Sequence, residues 1–360
     1  MSYGSPSEDC AAPPWPALAS DGKSTAPKSR KITIASHYVA WRMNVDSNSQ
    51  EQQPMSNVPT PPAQQLPQTE WKHRALYDRV RETLYALPAY FRPETLVAGL
   101  LATDIFALNS ALGATIEAEV VDALNDLRTT WDPKQEYAQY SFVRQTQTFP
   151  DVRLQRFRDG GSVDIIFGIE LKGWYLLAKE GEPSFRFSAS PDACAPADLL
   201  AVFPWALANV ISGRPHLFRP FVVPAKYAAE KRNYHWEHEM GAENASRPIV
   251  RPVNVRPYPS KKDEIADHAR NDTGHNFPRL ARTGVMDDYK LAIDQEGISG
   301  IPVGLWRKFF KAFVSTTDAT AVDAAIDRLV TDIQGRAQML SEQQIQAIRN
   351  KLLEIANLLA

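Results

Sequence analysis

The run Ser162–Leu177 (Ser-Val-Asp-Ile-Ile-Phe-Gly-Ile-Glu-Leu-Lys-Gly-Trp-Tyr-Leu-Leu) restricts this chain more than any other segment. Its apolar residues fall on both parities, and β-branched and aromatic side chains dominate. That pattern reads as a central strand covered on both faces. Glu170 and Lys172 interrupt it. A strand has a period of two, so both point to one face and Leu171 to the other. A carboxylate and an ammonium in such surroundings are costly unless each finds a partner. They either satisfy each other as a structural ion pair or serve a site that needs both charges.

Pro150-Asp151, separated from Glu170 by eighteen residues, closes the run Phe142-Val143-Arg144-Gln145-Thr146-Gln147-Thr148-Phe149. Residues with β propensity dominate that run, and the proline ends the pattern. Asp159-Gly160-Gly161 fits a turn between two successive strands. Adjacent strands would bring Asp151 beside Glu170. Two carboxylates and one lysine are the minimal equipment for cutting a phosphodiester with a divalent metal. Magnesium takes oxygen ligands, usually one or two carboxylates completed by water and substrate phosphate. On this reading Asp151 and Glu170 bind Mg2+, which polarises the phosphoryl oxygen and acidifies water. Lys172 positions the attacking water or stabilises charge on the scissile phosphate.

Pro150-Asp151 with Glu170-Leu171-Lys172 resembles the PD-(D/E)XK nuclease superfamily. The surrounding words, Gln147-Thr148-Phe149-Pro150-Asp151-Val152 and Gly168-Ile169-Glu170-Leu171-Lys172-Gly173-Trp174-Tyr175, resemble type II restriction endonucleases. The likeness runs over residues 115 to 240. It implies an α/β fold with a mixed central sheet flanked by helices, and further helices toward both termini. It also implies magnesium-dependent, sequence-specific cutting of double-stranded DNA that leaves 5′-phosphate ends. The expected partners are a second copy of the chain, embracing a short palindrome, and a cognate DNA methyltransferase as functional companion. A helical acidic residue often joins such sites. Glu117 is the first match and Glu119 the second, in Thr115-Ile116-Glu117-Ala118-Glu119-Val120-Val121. Two alternatives stay open: a repair or recombination nuclease of the same fold that reads DNA structure, and a non-catalytic DNA-binding protein whose triad is a structural ion pair.

Lys and Arg number 40 against 42 Asp and Glu, a net charge of −2. No overall field therefore draws the chain to nucleic acid, although one basic cleft would suffice. Residues 214–262 hold ten Lys or Arg against four Glu, with Tyr227, Tyr234, Trp236 and Tyr258 interleaved. Phosphates demand such a patch, and aromatics and arginines add groove contacts. Lys226, Lys231, Arg232, Arg247, Arg251 and Arg256 are the candidate DNA contacts. Arg247-Pro248-Ile249-Val250-Arg251-Pro252 suits an extended loop entering a groove, where arginine to guanine is the expected base contact. A charged run is more often a solvated face; its place beside a nuclease site favours contact.

Rival motifs are weaker. His235-Trp236-Glu237-His238 puts two imidazoles within reach of one zinc, but no third ligand stands nearby. Asp132-Pro133-Lys134 and Asp288-Tyr289-Lys290 match D-x-K outside any apolar strand, and Pro191-Asp192 lies in a turn-rich stretch. No G-x-x-x-x-G-K-[ST] or strand-linked G-x-G-x-x-G occurs, which argues against ATP-driven or nicotinamide chemistry. Cys10 and Cys194 suggest no disulfide framework. No apolar stretch reaches transmembrane length, and no signal-like core opens the chain. The expected setting is the cytoplasm of a bacterial or archaeal cell, away from membranes.

The chain reads as four stretches. Residues 1–69 are rich in Pro, Ser, Gln and Ala and are expected to be largely flexible, with Lys31–Trp41 as a docking segment or arm. Residues 70–135 are expected to hold three helices: Glu70–Leu87 ended by Pro88, Pro93–Leu112 ended by Gly113, and Thr115–Trp131. The nuclease core spans 136–258, with further strands at Pro183–Phe187, Asp198–Trp205 and Phe218–Val223 and a helix over Lys226–Glu239. Residues 259–360 begin as charged loop and end in helices at Trp306–Val314, Ala321–Ile333 and Glu342–Leu359. The last carries an apolar stripe of Ile345, Ile348, Leu352, Ile355 and Leu359. Residues 70–360 are expected to form one compact unit.

Overall fold

Six strands make the central sheet of the computed structural model. They are β1 (Ser141–Arg144), β2 (Val152–Phe157), β3 (Val163–Tyr175), β4 (Leu199–Leu207), β5 (Pro215–Leu217) and β6 (Phe221–Pro224). The structure describes residues 59–99, 108–146, 148–240, 247–259, 264–314, 320, 323–324, 326–328, 330–331 and 341–359. By its contacts the chain divides into residues 1–56 and 57–360, and the described residues all belong to the second unit. The expected docking segment Lys31–Trp41 lies outside them.

The sheet is mixed. β1, β2 and β3 form an antiparallel meander, β3 and β4 run parallel, and β5 and β6 pair antiparallel with different halves of β4. The apolar run is the central β3, as its composition requires. β4 is buried at all nine residues. Its Pro204 falls in the gap between the β6 partners, which end at Val202, and the β5 partners, which begin at Trp205. A residue without an N–H is tolerated where an antiparallel neighbour makes no demand on it.

Helices flank or extend this sheet: α1 (Arg74–Tyr90), α2 (Leu108–Asp126), α3 (Arg128–Trp131), α4 (Ala225–Tyr234), α5 (Asp287–Ile293), α6 (Val303–Val314) and a C-terminal helix, Glu342–Leu359. α2 packs along β3 and β1, and α4 packs against β4 and β6. The fold is therefore mixed α/β, a central sheet flanked by helices. In α1 the stripe Leu76, Tyr77, Val80, Leu84 and Leu87 is at most 1 % exposed. Each such side chain contributes about 1.5–3 kcal/mol on burial.

Several expectations are corrected. The run Phe142–Phe149 is not one strand: β1 stops at Arg144, and Gln145 N–H donates to Asp151 O at 2.7 Å as the chain turns back. Asp151 thus leads into β2 instead of closing β1, and three strands stand where the sequence suggested two. α1 continues through Pro88 to Tyr90. Gly113 is no helix stop, since α2 runs from Leu108 to Asp126 across it. A Cβ added at Gly173 of β3 would lie 3.9 Å from Gly113 Cα, an ordinary van der Waals distance, so α2 passes over β3 at this point. The stripe Ile116, Val120 and Leu124, buried to 1 % or less, offsets the roughly 1 kcal/mol that glycine costs inside a helix. Of the expected helix Pro93–Leu112, residues 93–99 are not helical, with Val97 bridging to Gly213, and 100–107 lie outside the described residues. Pro183–Phe187 joins no sheet; it is held instead by Phe187 N–H to Pro278 O at 2.7 Å. The expected strand Phe218–Val223 resolves into β5 and β6 on either side of Phe218–Pro220. Ile345, Ile348 and Leu352 pack into the chain's own core, and within the expected helix Ala321–Ile333 the described residues 323–324, 326–328 and 330–331 are helical.

Candidate active site

Asp151 precedes Val152, which pairs with Ile169, so the register sets Asp151 opposite Glu170. The two residues exchange contacts across the strands. Asp151 N–H donates to Glu170 Oε2 at 3.2 Å, and Leu171 N–H donates to Asp151 Oδ2 at 3.0 Å. Lys172 Nζ then bridges both carboxylates, 2.6 Å from Glu170 Oε1 and 3.4 Å from Asp151 Oδ2. The side chains are 33 %, 12 % and 18 % exposed for Asp151, Glu170 and Lys172, so the group is partly buried and Asp151 is its most exposed member. Glu117 of α2 reaches the same place, its Oε1 accepting Gly173 N–H at 3.3 Å. Glu119 does not: it accepts from Thr95 N–H and Oγ1 at 3.3 and 3.0 Å.

Two carboxylates touch one ammonium and a third, Glu117, lies near enough to act on it, and the electrostatics record the imbalance. Burial raises the Glu170 carboxyl above the ordinary range, Lys172 opposes the rise, and Asp151 adds to it. Burial likewise raises Glu117, with Lys172 opposing and Asp151 adding. For Lys172 burial alone would lower the pKa, but Glu170 and Asp151 outweigh it and the ammonium is held protonated. A site with surplus buried negative charge and hard oxygen donors suits a divalent cation. No three His, Cys, Asp or Glu side chains among the described residues are grouped to hold a metal by themselves. Asp151 and Glu170 are the two carboxylates that could hold one together with water, and two is the number magnesium usually takes from a protein.

A second layer fixes the pair. Gly168 lies two residues before Glu170, and a Cβ there would overlap Pro150 Cγ and lie 3.2 Å from Asp198 Oδ1. Only glycine lets the turn carrying Asp151 close on β3. Asp198, fully buried, accepts from Gly168 N–H at 2.6 Å, Ala195 N–H at 2.7 Å and the Tyr258 hydroxyl at 2.9 Å. The Arg153 guanidinium lies over the Tyr258 ring and donates to Phe149 O at 3.1 Å, holding the same turn from the other side. Sequence reasoning missed these three positioning residues. The one available signal was an aspartate at the head of the apolar word Leu199–Phe203.

Burial pushes the Asp198 carboxyl up to about 6, against the pull of its three donors. The folded chain then binds this proton more tightly than the unfolded chain. Its contribution to stability is full below about pH 4 and is lost as pH rises to about 6. Comparing melting temperatures of wild type and Asp198→Asn from pH 4 to 7 should show the wild type losing ground to a flatter variant curve. Parallel curves would count against this proton.

The basic stretch is less free than its composition suggests. Arg232 is no DNA contact: it is fully buried, 2.6 Å from Asp267 Oδ2, and donates to Phe187 O and Ala189 O. The Phe277 ring covers its guanidinium at 4.8 Å. The sequence concealed this because Asp267 lies in a stretch read as loop. Lys231 pairs with Glu239 and Arg251 with Glu237, at 2.7 and 2.8 Å. Arg247 stacks over Trp236 at 5.2 Å, while Lys226 and Arg256 are exposed. His235 Nδ1 is 2.7 Å from Glu239 Oε2, and the His238 ring lies 5.0 Å from that of Tyr234. That arrangement offers no zinc site among the described residues.

No helix is long and apolar enough to cross a membrane among the described residues. Comparison of the chain with known protein families, with characterised proteins and with solved structures finds no match.

Proposed function

We propose that this chain is a type II restriction endonuclease with the PD-(D/E)XK fold, a magnesium-dependent hydrolase of double-stranded DNA. The convergence of Asp151 and Glu170 on Lys172 Nζ, at 3.4 and 2.6 Å on neighbouring strands, carries the reading. A purely structural ion pair needs one carboxylate. A second carboxylate on the same ammonium, with Glu117 close by, raises the cost of burial, and that cost makes sense where a cation and a phosphate complete the site.

Asp151 and Glu170 would hold the magnesium, which when bound supplies Lewis acidity toward the phosphoryl oxygen and a water of lowered pKa. Lys172, protonated, cannot take a proton from water. It donates hydrogen bonds, orienting the attacking oxygen and stabilising negative charge that grows on the scissile phosphate. Glu117, with its raised carboxyl, assists from α2 as a proton acceptor beside Gly173. The ends left would carry 5′-phosphates. A homodimer would set two such sites across a short palindrome, and a methyltransferase would guard the host's own copies of it.

One observation favours the structure-specific repair nuclease as a second reading. Lys231, Arg232 and Arg251 are engaged within the chain, which leaves fewer basic side chains to read bases. Digesting a linear plasmid with magnesium separates the two. The restriction reading predicts a fixed set of discrete fragments, absent when EDTA is added. A smear, or cutting confined to flaps and junctions, would favour repair.

A further inference from the structure

Away from the carboxylates a cavity of about 570 Å³ opens beside the Ala195–Ala197 turn that precedes β4. That volume falls within the roughly 300–1,000 Å³ of small-molecule sites. Trp71, Tyr227 and Tyr258 line it, with Ile166 at its base and Lys226 and Glu230 among its walls. Two of the rings are fixed. Trp71 stands edge-on to His73 and Tyr77, and Tyr258 is anchored by Asp198 and covered by Arg153. Neither the proposed cleavage chemistry nor the core uses this space.

We propose that the cavity receives a single nucleobase swung out of the DNA duplex. The inference rests on the nuclease reading and adds a base-reading site to it. Rigid aromatic walls suit a nucleobase, because every base has a π face to stack and fixed rings lose little freedom on binding. The exposed Lys226 supplies a cation for the flanking phosphate. Glu230 supplies an acceptor for an exocyclic amino group, which adenine, cytosine and guanine carry and thymine lacks. A base that leaves its stack needs both the stacking surface and the polar contact, and both are present.

The cavity also communicates with the cutting site. Tyr258 donates to Asp198, and Asp198 accepts Gly168 N–H, two residues before Glu170. Ile166 and Glu170 are four residues apart on β3, about 13 Å at the rise of a strand. A few nucleotides span that distance, so one strand can engage Lys172 and the cavity together.

The test measures binding of the full chain to labelled duplexes by fluorescence anisotropy, in EDTA so that nothing is cut. Three duplexes of one sequence are compared: fully paired, with one unpaired cytosine, and with one unpaired thymine. The unpaired cytosine should bind about tenfold tighter than the paired duplex, and the unpaired thymine should gain less. Tyr227→Ala should bring the cytosine preference close to one; if circular dichroism shows that variant misfolded, Trp71→Leu serves in its place. Equal affinity for all three duplexes overturns the base pocket and leaves the nuclease reading standing. No binding to any duplex overturns both. Free dCMP binding as tightly as the unpaired-cytosine duplex assigns the cavity to mononucleotides and overturns the proposal.

Discussion

Replacing Lys172 by methionine should abolish DNA cleavage while the protein stays folded and still binds DNA. Methionine keeps most of the side-chain volume and removes only the ammonium that Glu170 and Asp151 share. The loss should reach roughly 10³-fold or more, the scale seen when a donor that stabilises developing charge is removed. Folding should survive because the Glu170 carboxyl, already raised, can take up a proton instead of remaining an unpaired charge. Binding should survive because phosphate contacts come from basic side chains outside the site. Cleavage assays, circular dichroism and a binding titration on one preparation check all three. Cleavage within tenfold of wild type would remove Lys172 from the chemistry and reduce the triad to a structural bridge.

The second large effect concerns Arg232. Arg232→Met should destabilise the fold by about 3–5 kcal/mol, since it leaves the buried Asp267 carboxylate without its cation. Burial lowers the Arg232 guanidinium to about 10, so it still carries its charge at neutral pH in the wild type. The double variant Arg232→Met with Asp267→Leu should recover much of that loss, because an apolar pair of similar volume removes both desolvation penalties. Urea denaturation of the wild type and of the two variants measures this. A single variant as stable as wild type, or one whose only defect is weaker DNA binding, would return Arg232 to the surface role its neighbours in sequence suggested.

What the sequence revealed and what it hid follow from the range of the interactions concerned. The apolar word around Glu170 could fold only as a covered strand, and the period of a strand placed Lys172 beside Glu170. Asp151 and Glu117 were legible as site candidates through a resemblance. Their contacts to Leu171 and Gly173 depend on register and on an α2–β3 approach that no local pattern encodes. Gly113 read as a helix stop because what carries α2 across it is the packing of Ile116, Val120 and Leu124 against elements distant in the chain, such as β3. The same distance effect hid Asp198, Tyr258 and Arg153. They act on the turn that carries Asp151 through tertiary hydrogen bonds and ring contacts, not through their neighbours in sequence. The basic stretch misled for a complementary reason. Charge counted along a chain does not reveal which cations are already neutralised inside it, and Arg232 is the extreme case.

The most direct measurement is the cleavage of supercoiled plasmid by the purified chain across a magnesium titration, with the product ends sequenced and assayed for 5′-phosphate. The predicted result is linear fragments that begin at one short sequence, carry 5′-phosphates and vanish on adding EDTA. Asp151→Asn should give none of them at any magnesium concentration. Plasmid left intact by the wild type in magnesium and in manganese, with DNA still bound, would contradict the account and leave Asp151, Glu170 and Lys172 as a structural ion cluster.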